Sequence, residues 1–355
     1  MATTVIYKRV EGLELALDVH PQQVKNTEHI PAVVYYHGGG LTVGDRSSWF
    51  PAWFHARLSA VGIALISADY RLLPPATGQE ILEDVCDALA FVTSGELNEA
   101  VAAQNAGIGA IDGHAIAVAG TSSGGLCAYL AAANAKVKPK ALLSMYGMGG
   151  NFLTSHYLAP KTEPFFRGRE LLDPASFSEF LHPQAESLSP ISSSPLAYHP
   201  QDSSTPGYPA NPRMQLARLY LQMGNFLDYY TGRHDPSLSV SLRRVVLGDG
   251  AYAAGEREGS ADEEAIPPEL RHLFPQFSVS GAWPPTLICH GECDTAVPAA
   301  ESMYLGDLLS RAGVPVELRI LAGREHSFDY APGVEKELSG TFDAIADWLV
   351  ERLRC

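Results

Sequence analysis

Residues 115–125 read Ala115-Ile-Ala-Val-Ala-Gly120-Thr-Ser-Ser-Gly-Gly125, and this stretch decides the fold. An apolar run passes without a spacer into G-x-S-x-G, and then into a run of small residues with helical composition, Gly125 to Lys136. A strand that turns this sharply into a helix holds the corner serine exposed, and small flanking residues let it adopt a strained backbone. The plainer reading is a Gly/Ser-rich strand-to-helix loop of the kind that cradles phosphate. A P-loop is excluded because no Gly-Lys-Ser/Thr follows.

The same alternation extends in both directions. Before residue 115, Ala32–Tyr36 and Gly62–Ser67 are apolar runs, and the spans 48–60 and 79–93 have a helical pattern. After it come Ala141–Met145, Thr286–Cys289 and Val316–Ile320, the last two each followed by a helical pattern. Unbroken apolar strands alternating with helices specify a buried, mostly parallel sheet flanked by helices. Its ligands are expected at the carboxyl ends of the strands. The first 20 residues predict a hairpin instead, with Val5–Val10 on one strand, Leu13, Leu15, Leu17 and Val19 alternating on the other, and Glu11-Gly12 as the turn.

Residues 151–283 break the rhythm and carry 14 of the 25 prolines. A structureless loop of that length does not suit a compact domain, so the segment reads as an inserted lid or cap subdomain. The core is then 1–150 together with 284–355. Within the insert, Asn211 as N-cap, Pro212 in the first turn, apolar residues through Leu227 and Gly232 beyond predict one helix. Its aromatics, among them Phe152, Tyr157, Phe166, Phe226 and Tyr230, either form the core of the insert or line an apolar pocket.

Composition narrows the function. The chain has 355 residues, 46% hydrophobic and 18% charged, which excludes a disordered or collagen-like chain. With 25 Lys+Arg against 40 Asp+Glu, the net charge of −15 argues against nucleic-acid or anionic-lipid partners. No apolar run is long enough to span a bilayer. The first residues show no basic head before an apolar stretch, so a secretion leader is not expected and a cytoplasmic location is. Five cysteines (Cys86, Cys127, Cys289, Cys293 and Cys355), an odd number, fit a reducing compartment better than a disulfide framework.

Three further motifs each follow an apolar run. His37-Gly38-Gly39-Gly40 can aim backbone N–H groups at a tetrahedral oxyanion without side-chain obstruction. His37 itself reads either as a base or, better, as the residue that orients the loop. In His290-Gly-Glu-Cys-Asp294-Thr-Ala-Val-Pro298, Asp294 is suited to supporting an imidazole, or is an ordinary helix cap. Cys289, His290 and Cys293 would be a poor zinc site, since no second ligand pair follows at suitable spacing. Glu325-His326-Ser327-Phe328 places a histidine in a late loop. No metal or organic cofactor is called for.

These motifs together resemble the hormone-sensitive-lipase-like esterase family of α/β hydrolases. The resemblance rests on His37–Gly40, Asp69-Tyr-Arg-Leu72, Gly120–Gly125, Asp294–Pro298 and His326, and covers residues 1–150 and 284–355. It implies the α/β-hydrolase fold with an inserted lid, and the chain order Ser122, Asp294, His326 is the order of that fold's triad. Carried over by position, Ser122 is the nucleophile, His326 the general base and Asp294 its orienter. The N–H groups of Gly39, Gly40 and Ser123 form the oxyanion hole, supported by His37, Gly38, Gly120 and Gly124. Asp69, Tyr70 and Arg71 are structural. The chain departs from the family in reading Thr-Ser-Ser where Asp-Ser-Ala is frequent, in having only 36 residues before His37, and in Leu73-Pro-Pro-Ala76.

The implied activity is hydrolysis of a carboxylic ester, lactone or thioester of a small-to-medium apolar molecule, with an amidase on the same triad as a variant. An acyltransferase or cyclase of secondary metabolism is the alternative. A non-catalytic ligand-binding protein is the third reading, and a homodimer is compatible with the sequence.

Overall fold

The computed structural model of the chain describes residues 2–23, 29–104, 109–248 and 264–354. The N-terminal hairpin pairs β1 (Thr3–Val10) with β2 (Leu13–His20), placing Val10 opposite Leu13. Glu11 and Gly12 both adopt positive φ, 51° and 82°, the turn geometry whose twist matches the strands it joins. The six apolar runs lie in β3 (Ile30–Tyr36), β4 (Ala64–Ala68), β5 (Ile111–Thr121), β6 (Ala141–Met145), β7 (Thr286–Gly291) and β8 (Val316–Leu321). Among the described residues, eight strands make one sheet in the order β1-β2-β4-β3-β5-β6-β7-β8. Only β1/β2 and β2/β4 are antiparallel.

The sheet has a core on each face, because successive side chains on a strand point in opposite directions. On β3, Ala32, Val34 and Tyr36 join one core while Val33 and Tyr35 join the other. The first face is covered by the helices Gly78–Thr93, Ser123–Asn134 and Ala299–Arg311, and the second by Ala52–Ala60 and Ser339–Leu353. Thr77 and Glu80 form a capping box at the start of the first of these, with the Thr77 N–H donating to the Glu80 carboxylate at 2.6 Å.

The described residues of 151–283 give no strand to the sheet. Their helices and 3₁₀ turns pack on the first core, through Phe152, Tyr157, Leu216, Phe226 and Tyr230. The single helix expected from Asn211 to Leu227 is two. Asn211 caps as expected, its side-chain oxygen accepting from the Arg213 N–H at 3.0 Å. Gly224 then takes φ 64° and ends the helix Arg213–Met223. The chain restarts as Phe226–Thr231 and stops at Gly232, φ 72°. A Cβ on Gly224 would fall 2.7 Å from the Leu158 carbonyl oxygen, so packing as well as φ requires glycine there.

Residues 249–263 of this segment and Cys355 lie outside the described residues. The other four cysteines are free thiols. Among the described residues, no helix is long and apolar enough to cross a membrane.

Candidate active site

Ser122 sits at the corner between β5 and the helix Ser123–Asn134, with φ 55° and ψ −122°. That is a strained conformation for a residue with a Cβ, and it persists only where the surroundings over-determine it. Here the Ser122 N–H donates to the Met145 carbonyl (3.0 Å), and the Ser122 carbonyl accepts from Gly125 (2.9 Å) and Met148 (3.0 Å). A Cβ on Gly120 would lie 1.9 Å from the Gly124 carbonyl oxygen, and one on Gly124 would lie 2.0 Å from that of Tyr36. Neither glycine can be replaced without opening the corner.

The structure brings Ser122, His326 and Asp294 together from three strand ends. His326 Nε2 lies 3.0 Å from Ser122 Oγ, and His326 Nδ1 lies 2.7 Å from Asp294 Oδ2. A carboxylate only accepts, so Nδ1 carries the hydrogen and Nε2 is free to accept from the serine hydroxyl. Asp294 Oδ1 accepts from the N–H groups of Ala296 (2.9 Å) and Val297 (2.8 Å). Burial would raise the Asp294 carboxyl, but hydrogen bonds from His290 and His326 outweigh it and hold the group far below the ordinary carboxylate range.

The glycine loop closes the site from the end of β3. Gly39 and Gly40 have φ 112° and 64°. A Cβ on Gly39 would strike the Val43 carbonyl oxygen at 2.1 Å, and one on Gly40 would strike Ala217 Cβ at 2.2 Å. Among the described residues, no group accepts from the backbone N–H of Gly39, Gly40 or Ser123. His37 is fully buried, donates from Nδ1 to the Gly38 carbonyl (2.7 Å) and stacks on Tyr70 at 4.4 Å. It therefore orients the loop, and burial pushes its pKa down to about 4. The Tyr70 hydroxyl donates to the His37 carbonyl (2.8 Å), Asp69 accepts from Arg46, and Arg71 is bound to Asp84. Tyr70 thus holds the glycine loop from beneath, Asp69 anchors the chain that follows it at Arg46, and Arg71 pins the strand end to the helix Gly78–Thr93.

Ser122 and His326 open into a cavity of about 210 Å³. Its walls mix apolar side chains, among them Trp49, Met148, Met214, Leu221 and Val297, with polar and charged ones. Of the aromatics in the insert, Tyr157, Phe166, Tyr198 and Phe226 reach this cavity, while Phe152 and Tyr230 stay in the packed interior. Met214, Ala217, Arg218 and Leu221 come from one face of a single helix, at the i, i+3, i+4, i+7 spacing that shares a side. The volume suits a small substrate group rather than a long chain.

Three contributors were not assigned these roles from sequence. His290 donates from Nε2 to Asp294 Oδ2 (3.1 Å) and the Val297 carbonyl (2.9 Å), while Nδ1 meets Ser302 Oγ (2.7 Å). Its imidazole is thus committed to the aspartate loop. The four-residue step from His290 to Asp294 is the signal that could have revealed this. Glu325 accepts from the His326 N–H (2.7 Å) and from the Thr295 N–H and hydroxyl (both 2.8 Å), tying the histidine loop to the aspartate loop. Arginines of the insert, at 167, 169 and 218, also line the cavity. Nothing periodic in the sequence marks them.

A mostly parallel sheet bearing a strained serine corner, with a histidine and an aspartate supplied in order by later strand ends, defines the α/β-hydrolase class. Residues 33–209 match a family model described as the α/β hydrolase fold, and residues 251–354 match that of the prolyl oligopeptidase family. The chain belongs to the α/β hydrolases, in the hormone-sensitive-lipase-like family that its motifs resemble. It is 28% identical over 356 residues to the non-reducing polyketide synthase ausA of Penicillium brasilianum, a match covering 97% of this chain and 13% of that protein. It thus spans about 13% of the length of that curated relative. Two solved structures share the fold. A Staphylococcus aureus protein of unknown function is 18% identical, with TM-score 0.60 and 99% of each chain covered. A Pyrobaculum calidifontis esterase is 20% identical, with TM-score 0.58, covering 98% of this chain and 84% of that one.

Proposed function

We propose that the chain is a serine hydrolase that cleaves a carboxylic ester, lactone or thioester of a small-to-medium substrate through an acyl-enzyme on Ser122. The observation that carries this reading is the unbroken hydrogen-bond chain Ser122–His326–Asp294 opening into a cavity beside unengaged backbone N–H groups. In this reading, His326 Nε2 takes the hydroxyl proton as Ser122 Oγ bonds to the carbonyl carbon. The oxyanion rests on the N–H groups of Gly39, Gly40 and Ser123. His326 then returns the proton to the departing alcohol or thiol. Water, deprotonated by His326, cleaves the acyl-enzyme and releases the acid with Ser122 restored. Residues 1–150 and 284–355 serve as the catalytic core and 151–283 as the lid.

A second reading keeps the acyl-enzyme and changes the acceptor. The curated relative that this chain matches over about 13% of its length is named a non-reducing polyketide synthase, and this favours a substrate hydroxyl or amine in place of water.

The test is fluorophosphonate labelling of the wild type beside Ser122→Ala, read by intact mass, with a panel of p-nitrophenyl esters. One adduct, lost in the variant, together with ester turnover supports the hydrolase. An adduct without turnover, followed by acyl transfer to an added alcohol or amine, selects the second reading. Absence of any adduct overturns both and leaves a ligand-binding protein on this fold.

A further inference from the structure

The cavity walls contradict the charge of the molecule. The chain has 40 acidic residues against 25 basic ones, yet among the described residues no Asp or Glu lines the cavity, while Arg167, Arg169 and Arg218 do. Arg218 is the informative one. Its residue is only 6% exposed, and burying a guanidinium without a counter-charge is unfavourable. Arg213, on the same helix and equally buried, shows how this chain satisfies such a group. Arg213 donates to the carbonyls of Thr42, Leu73 and Pro74 and lies over the Phe180 ring. Arg218, with the same five N–H donors, meets only neutral groups among the described residues: Gln215 Oε1 at 3.1 Å and the Tyr208 hydroxyl. Gln215 Oε1 also accepts from the Tyr208 hydroxyl (3.0 Å). The guanidinium is thus held in place without a carboxylate. Burial lowers the Arg218 pKa, the Tyr208 hydroxyl opposes that shift, and neighbouring Arg169 adds to it, so an anion between the two arginines would supply the missing counter-charge.

The other two arginines sit on one tight turn. Arg167 and Gly168 both have positive φ, 53° and 64°. The turn is fastened to the aspartate loop by the Arg167 N–H, which donates to Thr295 Oγ1 (2.9 Å). Thr295 in turn donates to Glu325, which also accepts from the His326 N–H. Arg167 and Arg169 have no carboxylate within ion-pair distance among the described residues. The Glu325 carboxylate is engaged by Thr295 and by the His326 N–H. On the other side, Arg218 adjoins Ala217, which packs against Gly40. The basic groups therefore flank the serine, one from the helix above the glycine loop and two from the turn beside the histidine loop.

We propose that Arg218, Arg169 and Arg167 form a subsite for an anionic group of the substrate, a carboxylate or a phosphate, carried by a molecule whose remainder is apolar. This rests on the hydrolase reading for the word substrate, but not for the binding. A guanidinium fork matches either oxyanion in a bidentate fashion, and the burial of Arg218 strengthens its share of the pairing.

The experiment has two arms. In the first, kcat/KM is measured for mono-p-nitrophenyl esters of glutaric, adipic and suberic acids and for neutral esters of the same chain length. The anionic member of at least one pair is expected to be preferred, with the preference falling at high salt. Arg218→Gln is expected to lower that anionic-to-neutral ratio about 10- to 100-fold, and Arg169→Gln, an exposed position where folding is not at issue, to lower it by a smaller factor. Arg311→Gln, a surface arginine paired with Asp307, serves as the control. In the second arm, calorimetry on the Ser122→Ala chain compares octanoate, octyl phosphate and octan-1-ol, without and with Arg218→Gln. Tighter binding of either anion than of the alcohol, lost in Arg218→Gln, supports the subsite, and the tighter of the two names the group. Equal binding of anion and alcohol, binding of neither anion, or binding indifferent to Arg218 overturns it. If Ser122 takes no fluorophosphonate while the anion still binds through Arg218, the hydrolase reading fails and the subsite stands.

Discussion

The sheet-bearing regions, 1–150 and 284–355, and the segment 151–283 solve the same problem by opposite means. In the former, every group near the serine is delivered by the end of a strand whose backbone is fixed by its neighbours: Ser122 by β5, the glycine loop by β3, Asp294 by β7 and His326 by β8. In the segment, short helices and 3₁₀ turns have no shared ladder. They are held by aromatic stacks such as Tyr220 on Tyr229 (3.7 Å) and by buried arginines bound to carbonyls. The first arrangement positions atoms to a fraction of an ångström, as bond-making requires. The second can change its lining without disturbing the sheet, as selectivity requires. Substitutions in the first are expected to lower turnover of all substrates alike. Those in the segment are expected to change their ratio.

The largest effect tests the first half of that contrast. Ser122→Ala is expected to reduce kcat/KM on the order of 10⁵-fold for every ester, anionic or neutral, with circular dichroism and melting temperature little changed. A variant that retains turnover of one substrate class would place the nucleophile elsewhere. The next effect falls where the two regions touch. Gly40→Ala is expected to cost about 10²- to 10³-fold in kcat by displacing an oxyanion donor. Its new methyl group meets Ala217 of the segment, so Ala217→Gly in the same chain is expected to recover part of the loss. The rest reflects the positive φ of residue 40. No recovery would mean that the helix does not press on the loop.

The contrast also explains what could be read in advance. β3 to β7 were legible because a buried parallel strand is an unbroken apolar run, and the elbow because glycine is obligatory beside it; β8, at the sheet edge, was legible only by Val316, Leu318 and Ile320, which alternate with Glu317 and Arg319. The segment was legible only at its caps. Asn211 and Gly232 marked true ends, but Gly224 looked like any helical glycine, because the Leu158 carbonyl that excludes a Cβ there comes from 66 residues away in the chain. Arg218 and Arg213 are five apart on one helix and look equivalent in the sequence. Only the fold shows that one meets three carbonyls and the other an open cavity. In the sequence His290 reads only as a poor zinc ligand, because its partners, Asp294, the Val297 carbonyl and Ser302, come together only in the fold.

A smaller effect isolates His290 as a positioning residue. It supplies one of the four hydrogen bonds that hold the Asp294 carboxylate. His290→Leu is expected to lower kcat/KM about 10-fold. His290→Gln, which keeps an N–H at the same reach, is expected to restore the rate. Equal losses in the two variants would reduce His290 to packing.

The smallest effect on turnover concerns the joint between the regions, where the change is seen in stability alone. Glu301, on the helix after the aspartate loop, is buried at 2% exposure and accepts from the Tyr157 hydroxyl of the segment (2.9 Å to each oxygen) and from the Gly149 N–H (2.8 Å). Burial pushes its carboxyl up to about 8, against about 4.5 in the unfolded chain. Below the lower value both states hold the proton, and the contribution to stability is whole. Between the two values the unfolded chain ionises while the folded one keeps its proton, so stability falls as pH rises and levels off above the upper value. His20, His37 and His156, pushed down by burial to about 4, 4 and 3, act in the opposite sense below their ordinary pKa, so the wild-type melting curve alone would mix the two trends. The difference between wild type and Glu301→Gln cancels the histidines. That difference, measured as melting temperature from pH 5 to pH 8, is expected to shift steadily in favour of the glutamine variant by up to about 3 kcal/mol. A flat difference would mean that Glu301 is ionised in the folded protein and that the Tyr157 contact is a charged hydrogen bond.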